Sequence, residues 1–349
     1  MPITPQMVEL AAEFRRRLLL RERQAASALV RYYGTIWGQA QTEILALEAE
    51  IQQMRDAGED ISQAKVWQLE RFQRIQRQIE GELDRFVGVA DTTIQGGQRE
   101  AIAAANREAQ QLVQSSFLPR AGFTVEFGRM YTGAVEALVG VLEDGSPLAE
   151  LIRQRVGDAA DDFAATLVQS LALGLNPRET AKALRQSFGM GLTDALRISR
   201  TEQLRAYWTA TLGQFQSTDV VTGWERMASL DDRTCMACVM LDGKIYAKDE
   251  PMDDHPQGRC QMLPITKTYR ELGIDVDEPD FSRELGPEWF ERQDAATQAA
   301  MMGRGKFDAW QGGLFTLDQL PTLRIDPIWG NSWTPAALRD LIGGASESD

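Results

Sequence analysis

An α+β fold, predominantly α, is predicted for this 349-residue chain by three observations. Apolar residues recur at helical spacing up to Phe215. After Asp219 the apolar runs shorten, turns multiply and β-branched or aromatic residues become frequent. All three cysteines and the single histidine fall between positions 235 and 260. The expected architecture is a long amino-terminal helical hairpin and a helical bundle, followed by a small α/β module. The expected divisions are a helical arm over 1–120, a bundle region over 121–218, a knuckle module over 219–320 and a carboxy-terminal extension over 321–349. A hydrophobic content of 43% permits a real core.

The first helix is expected over 5–55, with Thr4 as cap and Pro5 in the first turn. Its apolar stripe runs through Leu10, Phe14, Leu18, Ala25, Leu29, Tyr33, Ile36, Ala40, Ile44, Leu47, Ile51 and Met54. At 1.5 Å per residue such a helix would be about 75 Å long, more than one small core can wrap, so a partner or another helix must cover the stripe. Gly58 ends it. Ser62 then caps a second helix in which Val66, Leu69, Phe72, Ile75, Ile79, Leu83 and Phe86 advance in steps of three or four, making an antiparallel hairpin. Arg71, Arg74 and Arg77 lie among Glu70, Glu80 and Glu82, which favours an ion-paired solvated face over a nucleic-acid surface.

Residues 92–118 keep helical composition until Pro119, and further helices are expected near 121–142 and 147–173. Asn176-Pro177-Arg178-Glu179 reads as a helix start, with a cap, a first-turn proline and an acidic residue. A separate helix is expected from Thr193 to about Phe215. On it, Arg200-Thr201-Glu202 reads as Glu202 pairing with Arg205 and Arg200 anchoring a neighbouring loop or carbonyl, rather than as a nucleotide site.

Beyond Asp219, a strand is expected through Val220, Val221 and Trp224 to Met227, with Asp231 and Asp232 bonding to amides of the next turn. Val239 to Leu241, Asp242-Gly243 and Lys244 to Tyr246 read as a β-hairpin with a type I′ turn. Pro287, Trp289 and Phe290 open a helix to about Met302, and Phe307, Trp310, Leu314, Phe315 and Leu317 are expected mainly as core. Trp329 and Trp333 follow, Thr334-Pro335 reads as another helix start, and the polar tail is expected to be mobile.

Cys235, Cys238, His255 and Cys260 form the pattern C-x2-C-x16-H-x4-C. Thiolate and imidazole are the ligands tetrahedral zinc prefers, and a structural site closes with four of them, two on a C-x2-C knuckle. Zinc held by these four side chains is therefore the expected cofactor. A disulfide would strand one cysteine. A deaminase needs a Glu two residues after its His and the knuckle downstream, whereas Gln257 stands there and the knuckle comes first; a zinc protease needs a second histidine. Structural zinc contributes about 10–16 kcal/mol, comparable with the whole stability of a domain, so residues 229–262 are expected to be ordered mainly by the ion.

Net charge is −14, and residues 219–349 carry 24 acidic against 13 basic residues. Phosphate neutralisation needs Lys and Arg, so a general DNA clamp is disfavoured and a protein surface is the better partner. A zinc-containing DNA-binding factor and a nucleotide-acting enzyme or toxin remain as alternative classes. No Gly-rich phosphate loop or G-x-S-x-G elbow is present, and no catalytic residue is assigned. The first residues lack the apolar core of a signal peptide and no segment reaches the roughly 18 apolar residues of a membrane helix, so a cytoplasmically made chain without membrane or small-molecule partners is expected.

The order Arg200-Thr201-Glu202, Trp224, Asp231-x-Arg233-Thr234-Cys235-x-x-Cys238, Leu241-Asp242-Gly243 and His255-Pro256-x-x-Arg259-Cys260 resembles the phage Mu protein F-like family of head-morphogenesis proteins. Trp289-Phe290 through Gln293, Gln298, Gly303 and Gly312-Gly313-Leu314 is similar to that family's tail, so the resemblance spans roughly 175–320. It implies a minor head protein of a tailed phage or prophage, inside the capsid near the portal vertex and in the host cytoplasm during assembly. The implied role is structural, in head morphogenesis and genome packaging or ejection. The implied partners are the portal protein and other head proteins, with packaged double-stranded DNA as a further candidate. Many members carry an additional cysteine where this chain has Gly258; Cys260 is assigned as fourth ligand because glycine frees the loop to bring it in.

Overall fold

Helix propensity and capping set the first elements. The structure, a computed structural model, describes residues 3–128, 137, 139–142, 145–278, 280–326 and 330–343. Thr4 Oγ1 accepts the Met7 amide at 3.2 Å and opens α1 (Pro5–Asp56). Ser62 caps α2 (Gln63–Gln68), and α3 (Glu70–Ser115) follows at once. The expected second helix is thus broken at Leu69, whose backbone is extended. The break lets the Trp67 ring lie edge-on to Phe72 at 4.8 Å, while Gln73 Nε2 takes up the Trp67 carbonyl at 3.2 Å.

Two compact units are distinguished: residues 1–20, 98–139 and 203–349 form one, and residues 21–97 and 140–202 the other. In the second unit, α1 and α3 run antiparallel, since Arg71 meets Glu50 and Glu43 at 3.0 Å while Tyr33 packs edge-on against Phe86 at 4.9 Å. Arg71 and Arg74 of the arginine-bearing face are ion-paired, Arg74 with Glu70 at 3.8 Å, in line with the local charge balance. α4 (Leu148–Leu173) brings Phe163 to 5.6 Å from Phe188 and ends at Gly174 in the left-handed conformation, where Arg55 bonds to the Leu171 and Ala172 carbonyls. A cation on the last carbonyls of a helix satisfies orphan acceptors and complements the dipole.

The stripe of α1 is covered within the chain. Leu29, Tyr33, Ile36, Ala40, Ile44, Leu47 and Ile51 are all buried, covered by other helices as one of the two expected alternatives has it. The chain's own later helices supply the cover, as Tyr33 shows by packing on both Phe86 and Phe188.

α5 (Pro177–Gln216) starts as expected: Asn176 Oδ1 accepts the Arg178 and Glu179 amides at 3.0 Å, and Glu179 reaches back to the Asn176 amide. It then continues without the expected break before Thr193. A Cβ at Gly191 would lie 2.8 Å from Ala159 Cβ and 2.9 Å from the Tyr33 hydroxyl, so the glycine serves close helix packing rather than termination. The helix expected near 121–142 is absent from 122–128, where Gly122 is left-handed and Gln114 pins the irregular segment through Phe123 O and Val125 N. Most of 129–138 lies outside the described residues, as do Trp329 and the 344–349 tail.

In the first unit, β1 (Val221–Met227) is the centre of an antiparallel sheet, flanked by β2 (Ile245–Ala247) and β3 (Gln261–Thr266). Trp224 pairs with Tyr246 across β1 and β2, their rings stacked at 4.2 Å. The expected 239–246 hairpin is not formed: Met236–Met240 is helix α6, and β2 pairs with β1 instead. Gly243 has positive φ but Asp242 does not, so no type I′ turn arises. Asp242 instead accepts the Ala228 amide at 2.7 Å and the Gly286 amide at 2.8 Å, docking the turn beside β1.

The expected 287–302 helix is two, α7 (Gly286–Glu291) and α8 (Ala295–Met302), because Asp294 caps the second through the Thr297 amide. α9 (Arg304–Gln311) follows, and Phe290, Met302, Phe307 and Phe315 join Met236 and Val239 in one buried cluster. Leu314 is exposed, against the expectation of core. β4 (Pro321–Arg324) pairs antiparallel with β5 (Ser332–Pro335), so Thr334-Pro335 lies in a strand, and α10 (Leu338–Gly343) begins three residues on. The fold is α+β and mostly helical. Among the described residues no helix is long and apolar enough to cross a membrane.

Candidate metal centre

The turn before α6 is built by its own polar side chains. Asp231 Oδ1 accepts the Arg233 amide and the Thr234 hydroxyl, both at 3.0 Å, and Thr234 Oγ1 accepts the Asp231 amide. This closed turn delivers Cys235 to the cap position of α6, where its sulfur accepts the Cys238 amide at 3.4 Å. A knuckle of this kind points backbone N–H groups at sulfur, which favours thiolate.

The second half of the centre comes from the segment between β2 and β3. The His255 carbonyl accepts the Gly258 amide at 2.8 Å, with Gln257 at φ 65° completing the tight return. His255 Nδ1 is 3.0 Å from the Pro256 carbonyl, so a proton there leaves Nε2 as the free lone pair. A Cβ at Gly258 would sit 2.1 Å from Asp254 Oδ2, so a side chain at this position is excluded by Asp254. That is a different reason for glycine than loop freedom.

All four predicted side chains meet at one sulfur. Cys238 touches Cys235, Cys260 and His255, and two triads share it: Cys235, Cys238 and His255, and Cys238, Asp254 and Cys260, each with donor atoms within 4.8 Å of one another. Tetrahedral zinc with bonds of about 2.0–2.3 Å sets its ligand atoms about 3.3–3.8 Å apart, so the two triads would draw in by about an ångström around an ion. The four residues can hold a metal ion, and they line a cavity of about 90 Å³. Cys238 and Cys260 are buried.

Charge is balanced here by groups that the cysteine and histidine pattern does not announce. Arg226, wholly buried on β1, reaches Asp254 Oδ1 at 2.7 Å, the Asp253 carbonyl at 3.3 Å and Cys238 Sγ at 3.6 Å. Contact with Cys238 lowers the Cys235 thiol, whereas Cys238 is raised by the same contact and Cys260 by Cys238 and burial. Burial opposes charge on His255, but the Cys238 sulfur and the Asp254 carboxylate prevail and raise it to about 9. A metal would displace that proton along with those of the thiols.

Residues 229–262, expected to be ordered mainly by the ion, contribute core side chains of their own. Met236, Val239, Leu241, Tyr246, Met252 and Met262 are all buried, so apolar packing shares the ordering with any ion. Elsewhere, Arg200 Nε lies 2.8 Å from the buried Glu22 carboxylate, an anchor of a different kind from the loop or backbone carbonyl expected for it.

Residues 161–262 match the family model for Phage Mu protein F like protein. The matched segment begins within α4, ends in β3 and contains all four candidate ligands. No curated protein and no solved structure gives a match.

Proposed function

We infer, for a chain that is phage Mu protein F-like over residues 161–262, a structural role in phage head morphogenesis. In this reading it is a minor head protein of a tailed phage or prophage, held inside the capsid at the portal vertex after assembly in the host cytoplasm. Its partners are the portal protein and other head proteins. The observation that carries the reading is the coincidence of the family match with the Cys235, Cys238, His255 and Cys260 cluster. Zinc is the proposed ion, because three sulfurs and one imidazole suit a borderline-soft dication with no redox demand. When bound it supplies cross-linking of the α6 turn to the 253–260 loop. The module then presents an acidic, rigid surface, with 24 acidic against 13 basic residues over 219–349, suited to protein rather than to DNA.

The test is co-expression with the portal, scaffold and major capsid proteins of the same genome. Purified heads should contain the chain in few copies, protected from added protease. Its absence from heads, or its digestion in intact heads, would overturn the reading.

A further inference from the structure

We propose that Arg226 and Asp254 are the positioning pair of the metal centre, acting from outside the ligand set, with Asp254 excluded from ligation itself. The proposal rests on the metal reading above. Both oxygens of Asp254 already have hydrogen-bond partners, and three sulfurs with one imidazole complete a tetrahedral set without a carboxylate. Oδ1 accepts Arg226 Nη2 at 2.7 Å and the His255 amide at 2.9 Å, and Oδ2 faces the Cys260 amide at 3.4 Å. One carboxylate therefore holds the backbone of two of the four candidate ligands. Its side chain is fully buried, so these bonds are not shared with bulk water.

Arg226 does complementary work on the sulfur side. Its Nη2 lies 2.7 Å from the carboxylate and 3.6 Å from Cys238 Sγ, while Nη1 donates to the Asp253 carbonyl at 3.3 Å. Cys238 Sγ and Asp254 Oδ1 are themselves only 3.6 Å apart. With its proton in place the Cys238 thiol donates to that oxygen; once a metal takes the proton, two anions at that separation would repel in a buried site, and the guanidinium is the cation in contact with both. Three thiolates around a dication leave one net negative charge, and this guanidinium lies beside the shared sulfur. A lysine would keep the charge but cannot span carboxylate, carbonyl and sulfur with one nitrogen. Gly258 belongs to the same device, since any side chain there would displace Asp254.

The experiment measures zinc affinity of the full chain by competition with a chromophoric chelator, for wild type, Asp254→Asn and Arg226→Lys, together with the absorption spectrum of each cobalt(II) form. Outer groups that orient ligands change affinity by about 10- to 100-fold. Both variants should weaken zinc binding within that range. The cobalt bands of Asp254→Asn should keep the positions and intensities of three sulfurs and one nitrogen. Wild type without zinc would overturn the metal reading and this pair with it. Zinc bound with equal affinity by all three proteins would overturn the pair alone. An altered cobalt ligand field in Asp254→Asn would make Asp254 a ligand and overturn its outer placement. Failure of both variants to fold at saturating zinc, judged by far-ultraviolet circular dichroism, would make the pair a folding requirement and also overturn the proposal.

Discussion

The indole nitrogen of Trp208 donates to the main-chain carbonyl of Cys260 at 3.1 Å, joining the last turns of α5 to the loop that carries the third sulfur. Both residues are buried, so the carbonyl has no ready replacement for the bond. Trp208→Phe keeps most of the ring and removes the donor. We expect a loss of about 1–3 kcal/mol, the cost of an unsatisfied buried acceptor, read as a lower urea midpoint at unchanged slope.

Gly258→Cys would place a fourth thiol in the centre, yet its Cβ would fall 2.1 Å from Asp254 Oδ2. The expected result is weaker, not tighter, zinc binding in chelator competition, because the Asp254 network must give way. Overpacking of this sort costs about 1–3 kcal/mol, which a lower melting temperature would register.

In the other unit, Gly191→Ala puts a methyl 2.8 Å from Ala159 Cβ and 2.9 Å from the Tyr33 hydroxyl. On propensity alone, alanine would stabilise the interior of a helix by roughly 0.5–1 kcal/mol. Here the contact decides the sign, and destabilisation of about 1–3 kcal/mol is expected. Loss of the Tyr33 hydrogen bond to the Phe188 carbonyl, now 2.7 Å, would accompany it, visible as a change in tyrosine fluorescence.

Asn176→Ala removes the acceptor for two first-turn amides of α5. A cap of this kind is worth about 1 kcal/mol, and thermal unfolding monitored at 222 nm should shift accordingly, while metal content stays unchanged.

Removal of metal by a chelator should raise hydrogen exchange chiefly in 231–238 and 253–260. The β1–β3 ladder should stay protected, because Trp224, Tyr246 and Met262 remain packed around it. Helical ellipticity should be largely retained. Collapse of exchange protection throughout 219–343 would contradict this division between ion and core.

Helix starts were legible where a local side chain caps, at Thr4, Ser62 and Asn176, but Thr193 and Thr334, also read as starts, lie within α5 and β5. Interruptions were not legible. The expected break before Thr193 is bridged at Gly191, on which Ala159 and Tyr33 press, and Leu69 gives no warning of the break that seats Trp67 on Phe72. Asp242-Gly243 misled because Asp242 is engaged by Ala228, Gly286 and Arg283, partners a turn rule cannot see. The four candidate ligands were readable from spacing because ligand chemistry is specific. Arg226 left a fainter sign: it shares the buried face of β1 with Trp224, where alternation asks for an apolar residue.

Helix α6 is little more than one turn long, and it faces two ways. Cys238 belongs to the cluster around Trp224, while Met236 and Val239 sit with Phe290, Phe307 and Phe315. So short a rod has no slack: turning one sulfur turns two core methyl-bearing neighbours. The carboxy-terminal aromatics thereby act as a gauge of whatever the thiols grip, and injury at Phe290 should be felt as a loosened hold some residues away.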